Sequence, residues 1–193
     1  MRQAVILIGL LVAAIAIYAA IPKPELSPYG TDQVKQFVLE DARNDYPSAQ
    51  VEVLSAGNKD GKWLVDVKIA RDAHSKCPKI VMRAYTFPPI LFREEVYNDR
   101  CSAGGSLLVY PEEAILASAQ TSQVKALPED AQGNARMYTA EEIRALQQCV
   151  ACSPFEEFSK ALPAERLWAV QWDYAGKTLY VALDIYGKAV ATS

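Results

Sequence analysis

Residues 4–21 of this chain run AVILIGLLVAAIAIYAAI without one charged side chain, and such a run has to be buried, either in a protein core or in lipid. Coiled as a helix it would span about 27 Å, close to the roughly 30 Å of a bilayer's hydrocarbon layer. Tyr18 suits an interfacial position near one end. Pro22, Pro24 and Pro28 then stop the helix. The reading is a single transmembrane anchor over residues 1–22, a Pro-rich spacer over 23–30, and a contact with the membrane through residues 4–21. A cleaved secretory signal is the alternative, with Met1-Arg2-Gln3 as a short basic start and Ala14-Ile15-Ala16 as a small-residue cleavage pattern. Cleavage there would end the apolar core at Ala13, whereas the run continues through Ile17 and Ile21. Both readings export the remainder of the chain. The anchored one leaves the N-terminus cytoplasmic and the C-terminal part extracytoplasmic.

Export gives the cysteines their meaning. Cys77, Cys101, Cys149 and Cys152 are an even set, and in an oxidising compartment an even set defaults to disulfides. Three pairings exist. Cys77 with Cys101 and Cys149 with Cys152 is favoured, because the first pair brackets one segment and the second is a local C-x-x-C. From Pro24 onward 18 basic side chains face 23 acidic ones, so a nucleic-acid partner is not expected. Ten tyrosines and three tryptophans argue for a packed core.

The rest of the chain reads as α+β. A helix begins near Thr31, with Val34, Phe37, Val38 and Ala42 at helical spacing, and Pro47 stops it. Residues 50–55 and 62–70 alternate as strands around the turn residues Gly57-Asn58-Lys59-Asp60-Gly61, a hairpin signal. A third strand is expected over 79–87, broken by Pro88-Pro89, after which 90–100 leads irregularly to Cys101. Residues 102–105 read as a break, and Pro111-Glu112-Glu113 opens a short helix. The polar stretch 120–137 reads as a linker or surface loop. Thr139-x-x-Glu142 and Ser153-Pro154-Phe155-Glu156 are capping boxes, so two short helices flank the C-x-x-C. Trp168, Val170, Trp172 and Tyr174, then Leu179, Val181, Leu183 and Ile185, alternate as two strands, and Gly187 turns into a last one. The order suggests helix-plus-antiparallel-sheet units over 31–110 and 111–193, separate or fused into one continuous domain.

The closing residues Leu179-Tyr180-Val181-Ala182-Leu183-Asp184-Ile185-Tyr186-Gly187-Lys188-Ala189-Val190 resemble the final hairpin of PepSY domains, cystatin-like modules of exported and membrane-anchored proteins. The resemblance covers about the last 30 residues. It implies a cystatin-like arrangement of helix and sheet and an inhibitory or regulatory binding role, and it transfers no catalytic residue.

Candidate chemistry is sparse. Cys149 and Cys152 could serve a thiol-disulfide oxidoreductase, in which a helix N-terminus lowers the pKa of a reactive cysteine. Cys149 instead closes a helix, which favours a structural bridge. A four-cysteine zinc site would need a second closely spaced pair, and Cys77 and Cys101 do not supply one. His74 is the only histidine and sits among Arg71, Asp72, Ser75 and Lys76, as in an exposed loop. Four Glu-Glu pairs occur, Glu94-Glu95, Glu112-Glu113, Glu141-Glu142 and Glu156-Glu157, of which three fall where helix N-termini explain them. No cofactor motif is present. Tyr85, Phe87, Phe92 and Tyr97, with Pro88 and Pro89, cluster inside the Cys77–Cys101 loop, either as core packing or as a partner-binding surface. A type IV pilin plan fails on its details, since no early Glu follows a basic leader and Pro22 ends the helix. The function expected is a non-catalytic binding or assembly module of the cell envelope with a protein or peptide partner. A thiol-disulfide enzyme and a filament subunit are the alternatives.

Overall fold

The computed structural model describes residues 30–98, 101 and 107–193. The apolar run 4–21, the spacer up to residue 29 and the break at 102–105 lie outside the described residues. Among those described, no helix is long and apolar enough to cross a membrane. The chain divides into two compact units, 1–34 and 35–193, and both sheets lie in the second.

The first sheet is a four-stranded antiparallel meander, β1 (Gln50–Lys59), β2 (Lys62–Arg71), β3 (Lys79–Phe87) and β4 (Leu91–Val96), preceded by helix α1 (Thr31–Asp45). Asp60 and Gly61 both take positive φ in the β1–β2 turn, the geometry that lets a two-residue loop follow the twist of its strands. Trp63, Val65, Val67 and Ile69 of β2 fall in register with Phe87, Tyr85, Arg83 and Val81 of β3. These odd-numbered residues face α1, where Phe37 stacks on Phe87 at 5.8 Å and Asp41 accepts a hydrogen bond from the Tyr85 hydroxyl at 2.7 Å. β4 corrects the expectation of an irregular return over 90–100. The Cys77–Cys101 loop therefore contains most of a hairpin.

The second sheet, again an antiparallel meander, comprises β5 (Gln132–Tyr138), β6 (Leu167–Tyr174), β7 (Lys177–Leu183) and β8 (Ala189–Thr192). β5 lies in the stretch expected as a linker, together with the short helix α3 (Ser122–Lys125). Its polar sequence reflects an edge position; inward it offers only Gly133, Ala135 and Met137, in register with Trp172, Val170 and Trp168. Small residues there make room for the indoles. Helix α2 (Pro111–Ser118) packs on this face, burying Ile115 against Trp172, Val170 and Val181. Helices α4 (Ala140–Gln147) and α5 (Pro154–Ser159) cover the other face, with Ile143, Leu162, Leu167, Ala169 and Ala182 as a second core. Both begin with the expected capping boxes, at Thr139 and Ser153. With helices on both faces, β6 is buried along nearly all its length, and the two cores share its backbone as a wall.

Both favoured disulfides are formed, Cys77–Cys101 with Cα atoms 5.1 Å apart and Cys149–Cys152 at 5.4 Å. All four thiols are consumed, which removes the four-cysteine zinc alternative.

Candidate functional site

Four strand edges terminate the two sheets, and three of them are blunted. β1 carries a bulge between Val53 and Ser55, which twists an edge away from pairing. β8 is only four residues long. β5 is closed by His74: the Gly133 N–H donates to the His74 carbonyl at 2.7 Å, and the Gly133 carbonyl meets His74 Nδ1 at 2.9 Å. The second ring nitrogen lies 2.8 Å from the Gln50 side chain. His74 is thus half-buried between the β2–β3 loop and the second sheet, and not the exposed loop residue its neighbours suggest.

β4 is the exception. All six of its residues are exposed, including Leu91, Phe92 and Val96, and no other strand among the described residues pairs with its outer side. The Tyr97 N–H donates to the Ile80 carbonyl at 2.9 Å. Backbone groups alternate sides along an antiparallel strand, so Glu95, Arg93 and Leu91 also turn their amides toward β3. The N–H and C=O groups of Phe92, Glu94 and Val96 therefore point outward. Ile90 and Tyr97 extend the apolar character past both ends of the strand.

Beside this edge, on the face of the first sheet opposite α1, lies an open groove of about 410 Å³. Leu54, Asp66, Met82, Ala84, Arg93, Glu95 and Tyr110 line it. Leu64 and Leu91 are exposed on the same side by strand register. The groove exists because α2 and Tyr110 cover only one end of this face. There Lys68 is buried, 3.1 Å from Glu112 and 3.0 Å from Glu52, with its ammonium 5.0 Å from the centre of the Tyr110 ring. Burial alone would depress the Lys68 pKa, but the hydrogen bonds and charges of Glu52 and Glu112 outweigh it and hold the value above normal. Glu112, expected to serve the helix dipole, instead ties α2 to the first sheet.

On the α1 face, Arg83 fastens β4 in place. Only 2% of its side chain is exposed, and it donates to Glu94, to Asp41 at 3.3 Å and to the Tyr85 hydroxyl at 2.9 Å, while Asp45 pairs with it at 2.8 Å. Its guanidinium lies 4.2 Å from the centre of the Phe92 ring. Burial pulls its pKa down, yet these hydrogen bonds dominate and raise it. For Tyr85, burial is the main cause of a raised pKa.

The aromatic residues of the Cys77–Cys101 loop consequently separate. Tyr85 is buried and belongs to the core, and Phe87 stacks under α1. Phe92 and Tyr97 are about half exposed along β4. Only these two offer a surface.

The C-x-x-C joins the end of α4 to the residue before the α5 cap. Cys149 and Cys152 are partly buried, and Val150 between them is fully exposed. No strand leads into Cys149, and the strands around it are antiparallel. A second open groove of about 360 Å³ lies on this face of the second sheet, lined by Asn134, Arg136, Tyr138, Phe155, Gln171 and Tyr180 among others. Arg136 already lies over Tyr138 and pairs with Glu142 at 3.0 Å, so its guanidinium is engaged.

The chain matches no family model, and comparison with curated proteins and with solved structures returns no match.

Proposed function

We propose that this protein is a membrane-anchored, extracytoplasmic binding or assembly module that acts without catalysis, by adding a strand of an envelope protein or peptide to the edge of β4. The single observation behind this reading is the unpaired outer side of β4, exposed along all six residues, with three of them directing backbone groups outward. Such an edge is a template for strand addition, in which main-chain hydrogen bonds supply affinity and adjoining pockets read alternate side chains. The neighbouring groove is suited to that second task. Phe92 and Tyr97 are the aromatic anchors, and the Arg83 cluster keeps the strand rigid so that little ordering cost falls on binding.

The anchor over residues 4–21 belongs to the same proposal, as do a cytoplasmic N-terminus and an exported remainder; the two disulfides support an oxidising surrounding. The PepSY-like resemblance of the closing hairpin stays part of the same proposal; in its turn the Asp184 carboxylate accepts from the N–H groups of Tyr186 and Lys188 at 2.9 Å each. The position of the C-x-x-C between two helices favours a structural bridge over thiol exchange.

Val96→Pro removes one outward N–H at a position whose amide takes no part in the β3 ladder. In native membranes this variant should lose the partner crosslinked by the wild-type chain. Unchanged crosslinking would reject the edge as the binding site. Retention of the chain in membranes after a carbonate wash tests the anchor separately.

A further inference from the structure

We infer that the strand added to β4 is β4 of a second copy of this chain, paired antiparallel about a two-fold axis at Glu94. This rests on the strand-addition proposal and names its partner.

The support is the self-complementarity of residues 91–97, Leu-Phe-Arg-Glu-Glu-Val-Tyr. With the axis at Glu94, Leu91 falls opposite Tyr97 of the second copy, Phe92 opposite Val96, and Arg93 opposite Glu95. Apolar residues meet apolar ones, and each Arg meets a Glu. The backbone agrees with the same register. Phe92, Glu94 and Val96 direct their amides outward, so Glu94 exchanges two hydrogen bonds with its own copy and each Phe92–Val96 pair exchanges two more. All three outward positions are then used on both strands.

Arg93 and Glu95 become non-hydrogen-bonded pairs, the sites where facing side chains approach most closely. Both project to the groove side of the sheet, so the two charge pairs lie together across the axis. Sliding one strand by two residues would move the axis to Arg93 or to Glu95, and would set Arg93 against Arg93 or Glu95 against Glu95 of the second copy. The like-charged Glu94 pair at the centre is tolerable because each carboxylate is already held by Arg83 and by the Tyr46 hydroxyl. The product is one eight-stranded sheet with no free β4 edge, and a two-fold contact of this kind closes on itself.

Charge reversal tests the register. Full-length chains carrying two different affinity tags are co-expressed and captured from membranes in mild detergent through one tag. Wild-type chains should co-purify. Arg93→Glu sets Glu against Glu at both pairs and Glu95→Arg sets Arg against Arg, so each variant should co-purify with itself about tenfold less than wild type. Mixing the two variants restores both opposite-charge pairs and should bring recovery to within about twofold of wild type, which also shows that both variants fold. Equal recovery in every combination, or no rescue on mixing, overturns the inference. If wild-type chains do not co-purify while Val96→Pro still abolishes a crosslink to a different envelope protein, self-pairing falls and strand addition stands. If Val96→Pro alters neither readout, both fall.

Discussion

Lys68 and Glu112 lie 3.1 Å apart with about 5% and 6% of their side chains exposed, an ion pair that joins the first sheet to the helix leading into the second. Replacing Glu112 leaves the ammonium buried with only the more exposed Glu52. Glu112→Gln is expected to cost about 3 kcal/mol, the low end for breaking a buried pair because one partner remains. Adding Lys68→Met should recover much of the loss, since an apolar replacement of similar volume carries no desolvation penalty. Urea unfolding of the two variants measures both values, and a double variant as unstable as the single one would assign the cost to packing.

The same pair contributes to the alkaline limit of stability. The folded Lys68 pKa lies above its ordinary 10.5, so the folded state binds this proton more tightly than the unfolded one. Its contribution is fully present below pH 10.5 and is lost as pH rises through the folded value. At the acid end, Glu142 and Glu156 are held below their ordinary 4.5, mainly by the N–H groups of Thr139 and Ser153. Their contribution is present above pH 4.5 and fades as pH falls through the lowered values. Denaturant midpoints measured across pH should fall on both sides, with the alkaline fall reduced in Glu112→Gln.

Cys101→Ser opens a link that spans 24 residues of sequence. A loss of about 2 to 5 kcal/mol is expected. Because β3 and β4 are laddered, hydrogen exchange should show β3 amides between Ile80 and Tyr85 still protected relative to global unfolding. Protection should be lost first near Asn98, whose side chain clips the Ile80 N–H and the Pro78 carbonyl beside the disulfide. Equal loss throughout β3 would show that the covalent link organises the whole hairpin.

Gly133 is required by a close approach. A Cβ there would lie 3.1 Å from Ile115 Cγ2 and 3.1 Å from the ring of Trp172, whose indole N–H is fixed by the Ser118 hydroxyl at 3.0 Å. Gly133→Ala should destabilise by about 1 to 3 kcal/mol through overpacking. Thermal unfolding gives the comparison, and an unchanged midpoint would mean that α2 shifts freely.

What the sequence determined by itself is whatever depends on neighbours along the chain. The capping boxes at Thr139 and Ser153, the Asp60-Gly61 turn, the alternation of β2, β6 and β7 and the local C-x-x-C bridge each state their geometry within a few residues. β4 and β5 escaped that reading for one shared reason. An edge strand is not buried on two sides, so 91–96 carries three consecutive charges and shows no period of two, while 132–138 alternates but sets only Gly133, Ala135 and Met137 between Gln132, Asn134 and Arg136, too little apolar bulk to mark a half-buried strand. Tertiary structure decided the rest. Tyr85 is buried because Arg83 and Asp41 satisfy its hydroxyl, Glu112 leaves the helix dipole to meet Lys68 44 residues away, and His74 closes the β5 edge by bonding Gly133 across 59 residues. Those contacts leave β4 as the unblunted edge among the described strands. Which edge stays open depends on what the others are packed against, and that is a property of the assembled fold that no local pattern can carry.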